Sequence, residues 1–215
     1  MHYKQKSDPN SLYDEDDPQF WEDIYLADDA GWDLEGPTPI FSELADQFPK
    51  GDLCIIGCGR GYDAITFAKR GFNVTAVDFA PSPIFSLKKM ADQAKIKMNI
   101  LEKDIFTLLP DHESSFDYVI EQTCFCAIHP SHREDYRMMA QGILRSGGHL
   151  VGLWFPLDKD LNEGGPPYGT NIDEVKSIFH PNWEIMREEF PEHSIKPRKG
   201  REKLIIFKKV DGGVK

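Results

Sequence analysis

The chain reads Cys54-Ile55-Ile56-Gly57-Cys58-Gly59-Arg60-Gly61 at the point where an apolar strand runs into a predicted helix. Three glycines at alternate positions let the backbone turn sharply and approach a ligand closely. The first turn of the following helix presents N–H groups that have no partner within the helix. The stretch therefore predicts a ligand-binding turn at Gly57, Gly59 and Gly61. A tight turn that binds nothing is the alternative interpretation.

A carboxylate follows the next predicted strand. Residues 72–77 form an apolar strand that leads into Asp78, about 20 residues beyond the glycine stretch. An acid at this place in a Rossmann-like sheet accepts hydrogen bonds from both hydroxyls of a ribose; a turn carboxylate before Pro81 is the alternative. The spacing GxGxG differs from the GxGxxG of proteins that must hold a pyrophosphate. Together the two features favour S-adenosylmethionine, which has a ribose and no pyrophosphate, over a nicotinamide dinucleotide.

Strands and helices alternate along most of the chain. This order predicts an α/β, Rossmann-like fold with a mostly parallel seven-stranded sheet, helices on both faces and a C-terminal antiparallel hairpin. A helix begins at Pro39 with Thr38 as its N-cap. The predicted strands cover residues 52–56, 72–77, 97–101, 116–120, 148–155, 183–190 and 203–209, and the other predicted helices cover residues 18–27, 62–70, 83–95, 131–144 and 172–179.

The length of 215 residues suits a single domain, which we place over residues 18–210. Within it, residues 18–48 form an N-terminal helical segment that can act as a lid. Residues 1–17 end in the acidic run Asp14-Glu15-Asp16-Asp17 and predict a flexible acidic tail. Residues 211–215 form a short C-terminal tail.

Composition excludes several classes of partner. The net charge of −11 makes the chain a poor binder of polyanions, so we expect no nucleic-acid partner. No apolar run approaches the roughly 18 residues of a membrane span, and the N-terminus lacks the plan of a signal peptide. We therefore expect a cytoplasmic protein with no membrane partner.

The four cysteines are expected to be free thiols, because a cytoplasmic compartment is reducing. Cys124 and Cys126 are predicted to share one face of a strand, with His129 and His132 in the following turn. Their Cys-x-Cys-x-x-His-x-x-His spacing is not a usual zinc pattern, so we predict no metal.

The glycine stretch and Asp78 resemble motif I and its acidic partner in class I methyltransferases. That resemblance implies the class I methyltransferase fold, with S-adenosylmethionine as methyl donor and S-adenosylhomocysteine as product. In that superfamily an acid and an apolar residue after the third strand hold the adenine. Asp104 would face the exocyclic amine and Ile105 the ring.

Further motifs resemble the thiopurine S-methyltransferase family, most closely its plant and bacterial halide/thiol methyltransferase branch. The resemblance covers roughly residues 19–209. The motifs are Phe20 to Tyr25 with Gly31-Trp32-Asp33, Cys124 to Pro130, Gly164-Gly165-Pro166-Pro167-Tyr168, and Arg198 to Lys203.

The resemblance implies roles for single residues. Trp21, Tyr25 and Trp32 match aromatic positions that close over the cofactor, although Tyr25 stands where that branch has tryptophan. Gln122 matches a position that is a tyrosine facing the cofactor in plant relatives, so the substrate side differs here. Tyr168 matches a tyrosine beside the transferred methyl and would orient or hydrogen-bond the acceptor anion.

We therefore expect methyl transfer to a small soft nucleophile: a halide, bisulfide or a thiol. In-line displacement needs alignment and a desolvated nucleophile, so no catalytic acid or base is predicted. Two other acceptors are possible for the same reaction: a larger thiol such as a thiopurine, or a metalloid oxyanion. Two other functions are the alternatives to methyl transfer: an oxidoreductase, or a non-catalytic protein that binds S-adenosylmethionine. The partner is a small molecule, and the chain is expected to be a monomer or weak dimer. The basic run 198–203 is either a solvated hairpin turn or an anion-attracting rim.

Overall fold

The computed structural model describes residues 14–210. Within them lie six α-helices and seven β-strands, in the alternating order that the sequence predicts. The helices are α1 (Pro18–Leu26), α2 (Pro39–Gln47), α3 (Tyr62–Lys69), α4 (Pro81–Ala94), α5 (Arg133–Ile143) and α6 (Ile172–Phe179). The strands are β1 (Asp52–Ile56), β2 (Asn73–Asp78), β3 (Asn99–Glu102), β4 (Phe116–Gln122), β5 (Leu144–Trp154), β6 (Trp183–Glu189) and β7 (Lys203–Lys209).

The strands form one sheet in the order β3-β2-β1-β4-β5-β7-β6. Strands β1 to β5 pair in parallel, and β7 pairs antiparallel with both β5 and β6. This arrangement confirms the predicted α/β fold with its C-terminal hairpin. It also brings the carboxyl ends of β1, β2, β4 and β5 to one edge of the sheet, where open α/β sheets bind ligands.

Both faces of the sheet are buried. Along β1, Cys54 and Ile56 pack on one side with Trp154 and Phe179, whereas Leu53 and Ile55 belong to a second core that includes residues of α2 and α3. Successive strand residues point to opposite faces, so a strand covered on both sides is apolar throughout. This explains why the run before Gly57 has no polar alternation.

Local signals place the helix starts. Proline occupies the first position of α1, α2 and α4, where its missing N–H costs no helical bond. Asn171 caps α6 by accepting hydrogen bonds from the amides of Asp173 and Glu174. Thr38 holds the N-cap position of α2 as predicted, but its side chain makes no capping bond. Its hydroxyl is engaged in the site described below.

The structure corrects the prediction that Cys124 and Cys126 share a strand face. Strand β4 ends at Gln122, and Cys126 lies in a short 3₁₀ turn (Phe125–Ala127) that Cys124 precedes. The chain turns at Thr123, whose φ is +56°. All four cysteines are free thiols.

The structure describes only part of the two predicted terminal tails. Residues 1–13 and 211–215 lie outside the described residues, so the tails predicted there stay predictions. Asp14 to Asp17 are described, and the Asp17 carboxylate accepts from the amide of Gln19 at the start of α1. No helix within residues 14–210 is long and apolar enough to cross a membrane.

Candidate active site

A large cavity opens at the carboxyl edge of the sheet. Its volume is about 1210 Å³. Most of the residues that the sequence assigns to a cofactor lie on its walls: Trp21, Tyr25, Trp32, Gly57, Gly59, Asp78, Asp104, Ile105 and Gln122. Gly61 and Tyr168, both in the described part of the chain, do not line it.

The first two glycines of the loop leave space at the cavity wall. Gly57 and Gly59 have φ values of +58° and +52°, which favour glycine. A Cβ on Gly57 would lie 3.0 Å from the side chain of Cys124, and one on Gly59 would lie 3.0 Å from the hydroxyl of Tyr25. A side chain at either position would therefore press on Cys124 or Tyr25, both of which line the cavity.

The third glycine serves packing instead. Gly61 begins α3 with a φ of +77°, and a Cβ there would lie 2.4 Å from a methyl group of Leu87 on α4. The absence of a side chain lets α3 start close to α4. Gly61 therefore supports the loop on the side that packs against α4. The cofactor contact predicted for Gly61 stays a prediction.

Asp78 is the buried carboxylate at the end of β2. Its Oδ2 accepts a hydrogen bond from the amide of Gly59 at 2.8 Å, and its Oδ1 accepts from the amide of Ala80 at 3.1 Å. Burial raises the pKa of Asp78, against the lowering effect of these backbone donors. A carboxylate has about four acceptor sites, so Asp78 keeps capacity for a diol in the cavity.

The next strand supplies the other polar end of the cavity. The Asp104 carboxylate accepts from the amide of Phe106 at 2.9 Å and so caps the short turn that contains Ile105. Both Asp104 and Ile105 line the cavity, and the adenine contacts predicted for them stay predictions.

Three aromatic side chains of the N-terminal segment wall the cavity. The indole N–H of Trp32 donates to the hydroxyl of Tyr25 at 3.1 Å. The ring centroids of Trp21 and Trp32 are 5.4 Å apart in an edge-to-face arrangement, and those of Tyr25 and Trp32 are 5.6 Å apart. Burial raises the pKa of Tyr25 far above its ordinary value, so the hydroxyl stays neutral.

Helix α1 is fastened to α4 by one carboxylate. Helix α4 has no capping side chain of its own, and Glu22 on α1 takes that place. Glu22 accepts from the amide of Ser82 at 2.8 Å and from its hydroxyl at 2.5 Å. A carboxylate at a helix N-terminus is stabilised by the unpaired N–H groups and the helix dipole.

Tyr168 lies one layer behind the cavity wall. Its hydroxyl donates to the carboxylate of Glu15, and its ring packs edge-to-face on His129. Glu15 and Asp16 line the cavity in its place. The predicted tail thus contributes to the site through Glu15 and Asp16, and the direct contact of Tyr168 with an acceptor stays a prediction.

Positive charge reaches the cavity from the loop between β6 and β7. Arg198 is only 5% exposed, donates to the backbone carbonyl of Trp32 at 2.7 Å and lines the cavity with Arg201. Arg201 is paired with Asp158 at 2.6 Å. Of the two interpretations of the basic run 198–203, this placement favours the anion-attracting rim.

Two acids were not singled out from the sequence: Asp63, which is half-buried at the cavity wall, and Glu121, which is buried beside the cavity-lining Gln122. Asp63 on α3 accepts from the amide and hydroxyl of Thr38, at 2.7 and 2.8 Å. Burial raises the pKa of Asp63 to about 6. Glu121 on β4 accepts from the amide of Phe125 at 2.7 Å, and burial raises the pKa of Glu121 to about 8. A carboxylate next to a strand end is a weak signal, so only the tertiary structure marks these residues.

Thiols also face the cavity. Cys58, Cys124 and Cys126 line it, and burial raises the pKa of each: far above the ordinary value for the first two and to about 12 for Cys126. All three therefore stay protonated at neutral pH. Over residues 14–210 no cluster of three or more His, Cys, Asp or Glu side chains has the arrangement of a metal site.

Comparison with known proteins identifies the family. The family model described as thiopurine S-methyltransferase (TPMT) matches residues 16–210. The chain belongs to this family. A TPMT-family member transfers a methyl group from S-adenosylmethionine, and the protein is an S-adenosylmethionine-dependent methyltransferase. The resemblance inferred from the motifs is confirmed.

Individual relatives agree with this assignment. The probable thiol methyltransferase 2 of Arabidopsis thaliana is 33% identical over 194 residues, covering 88% of this chain and 84% of the relative. Thiocyanate methyltransferase 1 of Arabidopsis thaliana is 28% identical over 196 residues, covering 89% and 85%. The crystal structure of Burkholderia thailandensis 1,6-didemethyltoxoflavin-N1-methyltransferase, with bound 1,6-didemethyltoxoflavin and S-adenosylhomocysteine, has the same fold. Its TM-score is 0.75 at 20% identity, covering 90% of this chain and 87% of that one.

The residues present fit the cofactor of the TPMT family. Gly57 and Gly59 bring bare backbone to the cavity wall, and the Asp78 carboxylate has acceptor capacity for a ribose. Asp104 and Ile105 offer a polar and an apolar contact for the adenine, and the aromatic wall suits a sulfonium cation.

Proposed function

We propose that this TPMT-family enzyme transfers the methyl group of S-adenosylmethionine to a small soft anion: a halide, bisulfide or a thiolate. The observation that carries the proposal is the buried guanidinium of Arg198 at the cavity wall. A positive charge in a desolvated site attracts an anionic nucleophile and is screened less than a surface charge.

The residues of the chain supply binding and alignment. When bound, S-adenosylmethionine supplies an electrophilic methyl group on a sulfonium. Asp78 accepts from the ribose hydroxyls, Asp104 and Ile105 hold the adenine, and Gly57 and Gly59 allow the close approach of the backbone. Trp21, Tyr25 and Trp32 exclude water and face the cation with aromatic rings.

An anionic acceptor needs no proton removed, so the mechanism requires no general base. Because no group in the site removes protons, the protein's own thiols are also not activated for methylation by the cofactor. Cys58, Cys124 and Cys126 line the cavity, but burial holds their pKa values above neutrality. A neutral thiol is a far weaker nucleophile than a thiolate, so these side chains do not compete with the acceptor.

Tyr168 fits this scheme as a hydrogen-bond donor. In the conformation described its hydroxyl is held by Glu15. The sequence predicts that Tyr168 contacts the acceptor. For this contact to form, the Tyr168 hydroxyl has to give up its hydrogen bond to Glu15 and donate to the anion instead. The monomeric or weakly dimeric state and the cytoplasmic location stay predictions.

A larger thiol is the second candidate acceptor. The cavity volume of about 1210 Å³ exceeds the usual range for small-molecule pockets, about 300 to 1,000 Å³. The cofactor and the acceptor share this space, and the name of the matching family supports a thiopurine as the larger acceptor.

The test is release of S-adenosylhomocysteine from S-adenosylmethionine with iodide, bisulfide, thiocyanate, an aromatic thiol or no acceptor. We expect turnover with the small anions. Arg198→Met should raise their KM about tenfold and the KM for S-adenosylmethionine by less, since Arg198 also bonds the carbonyl of Trp32. Arg70→Met, which removes a surface guanidinium paired with Asp46, is the matched control.

Each other outcome has a defined meaning. Turnover with the aromatic thiol alone selects the second candidate. Cofactor binding without turnover on any acceptor contradicts both proposals and supports a non-catalytic binding protein.

A further inference from the structure

The part of the cavity over the ends of β4 and β5 is the part available to the acceptor. Three of the residues assigned to the cofactor, Gly57, Asp78 and Asp104, lie just after or at the ends of β1, β2 and β3. The resemblance also assigns Gln122 to the cofactor side, but its place in the sheet is different. Gln122 ends β4, and Phe155 follows β5 on the far side of β1. Because β4 and β5 stand beside β1 away from β2 and β3, the cavity over them is left for the acceptor.

One hydroxyl in that part of the cavity sits between two oxygen atoms. The Thr38 Oγ1 lies 2.8 Å from Oδ2 of Asp63 and 2.7 Å from Oε1 of Gln122. A hydroxyl carries a single proton and donates one hydrogen bond, so it cannot donate to both. Two arrangements of protons satisfy both contacts, and each fixes the Gln122 amide differently.

In the first arrangement Asp63 is neutral. Its carboxyl proton is donated to Thr38, and the Thr38 hydroxyl donates to the carbonyl oxygen of Gln122. The amide NH2 of Gln122 then faces away from Thr38. In the second arrangement Asp63 is ionised and accepts from Thr38. The Thr38 oxygen then accepts from the NH2 of Gln122, and the amide carbonyl takes the other side.

The surroundings of Asp63 act on these two arrangements in opposite directions. Burial raises the pKa of Asp63 to about 6, while the two bonds from Thr38 and the charge of Arg198 lower it. Other charged groups that line the cavity are engaged locally. Arg60 pairs with Asp33 at 2.8 Å, Arg201 with Asp158, and Asp78 accepts from the loop amides.

We propose that Gln122 binds the acceptor through its amide, and that Thr38 and Asp63 are positioning residues that set which end of the amide faces it. The inference rests on the proposed function, since it specifies the acceptor side of the same cavity. With Asp63 neutral, Gln122 presents N–H donors and favours an anion. With Asp63 ionised, it presents a carbonyl that repels an anion.

Asp63→Asn is the informative variant. Asparagine can accept from the Thr38 amide through Oδ1 and donate to the Thr38 hydroxyl through Nδ2, which reproduces the neutral carboxyl without its titration. Thr38→Val removes the connecting hydroxyl at nearly constant shape. Thr75→Val, which removes another buried threonine hydroxyl on β2 and outside the cavity lining, is the matched control.

The first experiment measures the KM for iodide between pH 5 and 8, because iodide does not titrate in this range. The wild-type KM should rise about tenfold as Asp63 ionises, the cost of a lost hydrogen bond to a charged ligand. Asp63→Asn should keep the low KM throughout and so bind iodide about tenfold better than wild type at pH 8. A gain of affinity is not the result of structural damage.

Thr38→Val should abolish the pH dependence of the iodide KM, while Thr75→Val should retain it. In all variants the KM for S-adenosylmethionine should stay unchanged. A flat wild-type profile, or an Asp63→Asn profile that follows wild type, overturns the inference.

A second measurement separates this inference from the proposed function. Calorimetry of iodide binding to the protein loaded with S-adenosylhomocysteine needs no turnover. If the iodide Kd shows the same dependence on pH and on Asp63→Asn, the positioning roles stand even where no acceptor is methylated. If the enzyme turns over iodide but its Kd is insensitive to both, the inference fails and the proposed function survives.

Discussion

The hydroxyl of Tyr168 donates a hydrogen bond to the carboxylate of Glu15, which lies 153 residues earlier in the chain. The backbone carbonyl of Glu15 also accepts from the indole N–H of Trp21 at 2.8 Å. Glu15 therefore ties the segment before α1 both to the aromatic wall and to the loop after β5. The position of the wall depends on residues that enter from two distant parts of the sequence.

Tyr168→Phe should lower kcat/KM for iodide about tenfold, because it removes the hydroxyl that bonds Glu15 and that is proposed to donate to the acceptor anion. The phenylalanine ring can still pack on His129. The measurement is formation of S-adenosylhomocysteine. Tyr118→Phe is the control, because Tyr118 is equally buried at 8% exposure and its ring stacks on Phe48 and His149. Equal activity of both variants and wild type would show that the Glu15 contact has no part in the reaction.

Gly59→Ala should weaken binding of S-adenosylhomocysteine about tenfold or more, as measured by calorimetry. The left-handed backbone at this position costs an alanine about 1 to 2 kcal/mol, and its Cβ presses on the hydroxyl of Tyr25. Gly71→Ala is the matched control, because Gly71 also has positive φ but no atom within 4 Å of its added Cβ. If both variants lose affinity equally, the effect comes from stability and not from the loop.

Glu121 should make the protein less stable as the pH rises. The folded carboxyl keeps its proton up to about pH 8, whereas the unfolded one loses it near its ordinary value of 4.5. The folded state binds more protons between these values, so the free energy of unfolding falls from about pH 4.5 to pH 8. Thermal melts of wild type and Glu121→Gln at several pH values test this.

The difference in Tm between wild type and Glu121→Gln should shift against wild type as the pH rises. For a domain of this size each kcal/mol corresponds to about 2 to 4 °C. A Tm difference that does not change with pH would mean that Glu121 is ionised in the folded state.

Limited proteolysis should test whether the contact of Glu22 with Ser82 holds α1 against α4. Glu22→Gln loses the charge at the start of α4 and one of two accepting oxygens, a cost of about 1 to 2 kcal/mol. Cleavage within residues 18–35 should accelerate roughly five- to thirtyfold where cleavage follows local opening. Asp23→Asn should behave as wild type, because among residues 14–210 the Asp23 carboxylate accepts only from Gln19 on the same helix.

S-adenosylhomocysteine should slow cleavage of the same segment, because a ligand under the aromatic wall stabilises the closed form. Identical cleavage with and without S-adenosylhomocysteine would contradict the interpretation of residues 18–48 as a lid.

Local signals account for what the sequence predicted well. The strand before Gly57, the glycines and Asp78 are close in sequence and are held by backbone geometry, so their arrangement follows from their spacing. The same holds for β7 and α6, whose predicted limits match the structure. The Cys124 prediction was wrong because Thr123 adopts positive φ and ends β4, and no glycine or proline signals that turn.

Contacts between distant residues account for what was missed. Thr38 meets Gln122 across 84 residues and Asp63 across 25. Thr38 carries a clear helix-start signal, which explains its backbone but not its hydroxyl. Arg198 was visible only as part of a basic run, because its burial depends on the carbonyl of Trp32.

The sheet order has a consequence for synthesis of the chain. β7 lies between β5 and β6, and residues 204–207 of this strand are buried. The hydrogen-bonding edge of β5 therefore stays unpaired until the ribosome has released residue 209. A growing chain exposes that edge to other chains while residues 155–209 are synthesised, which makes β5 a strand where a chaperone would give protection.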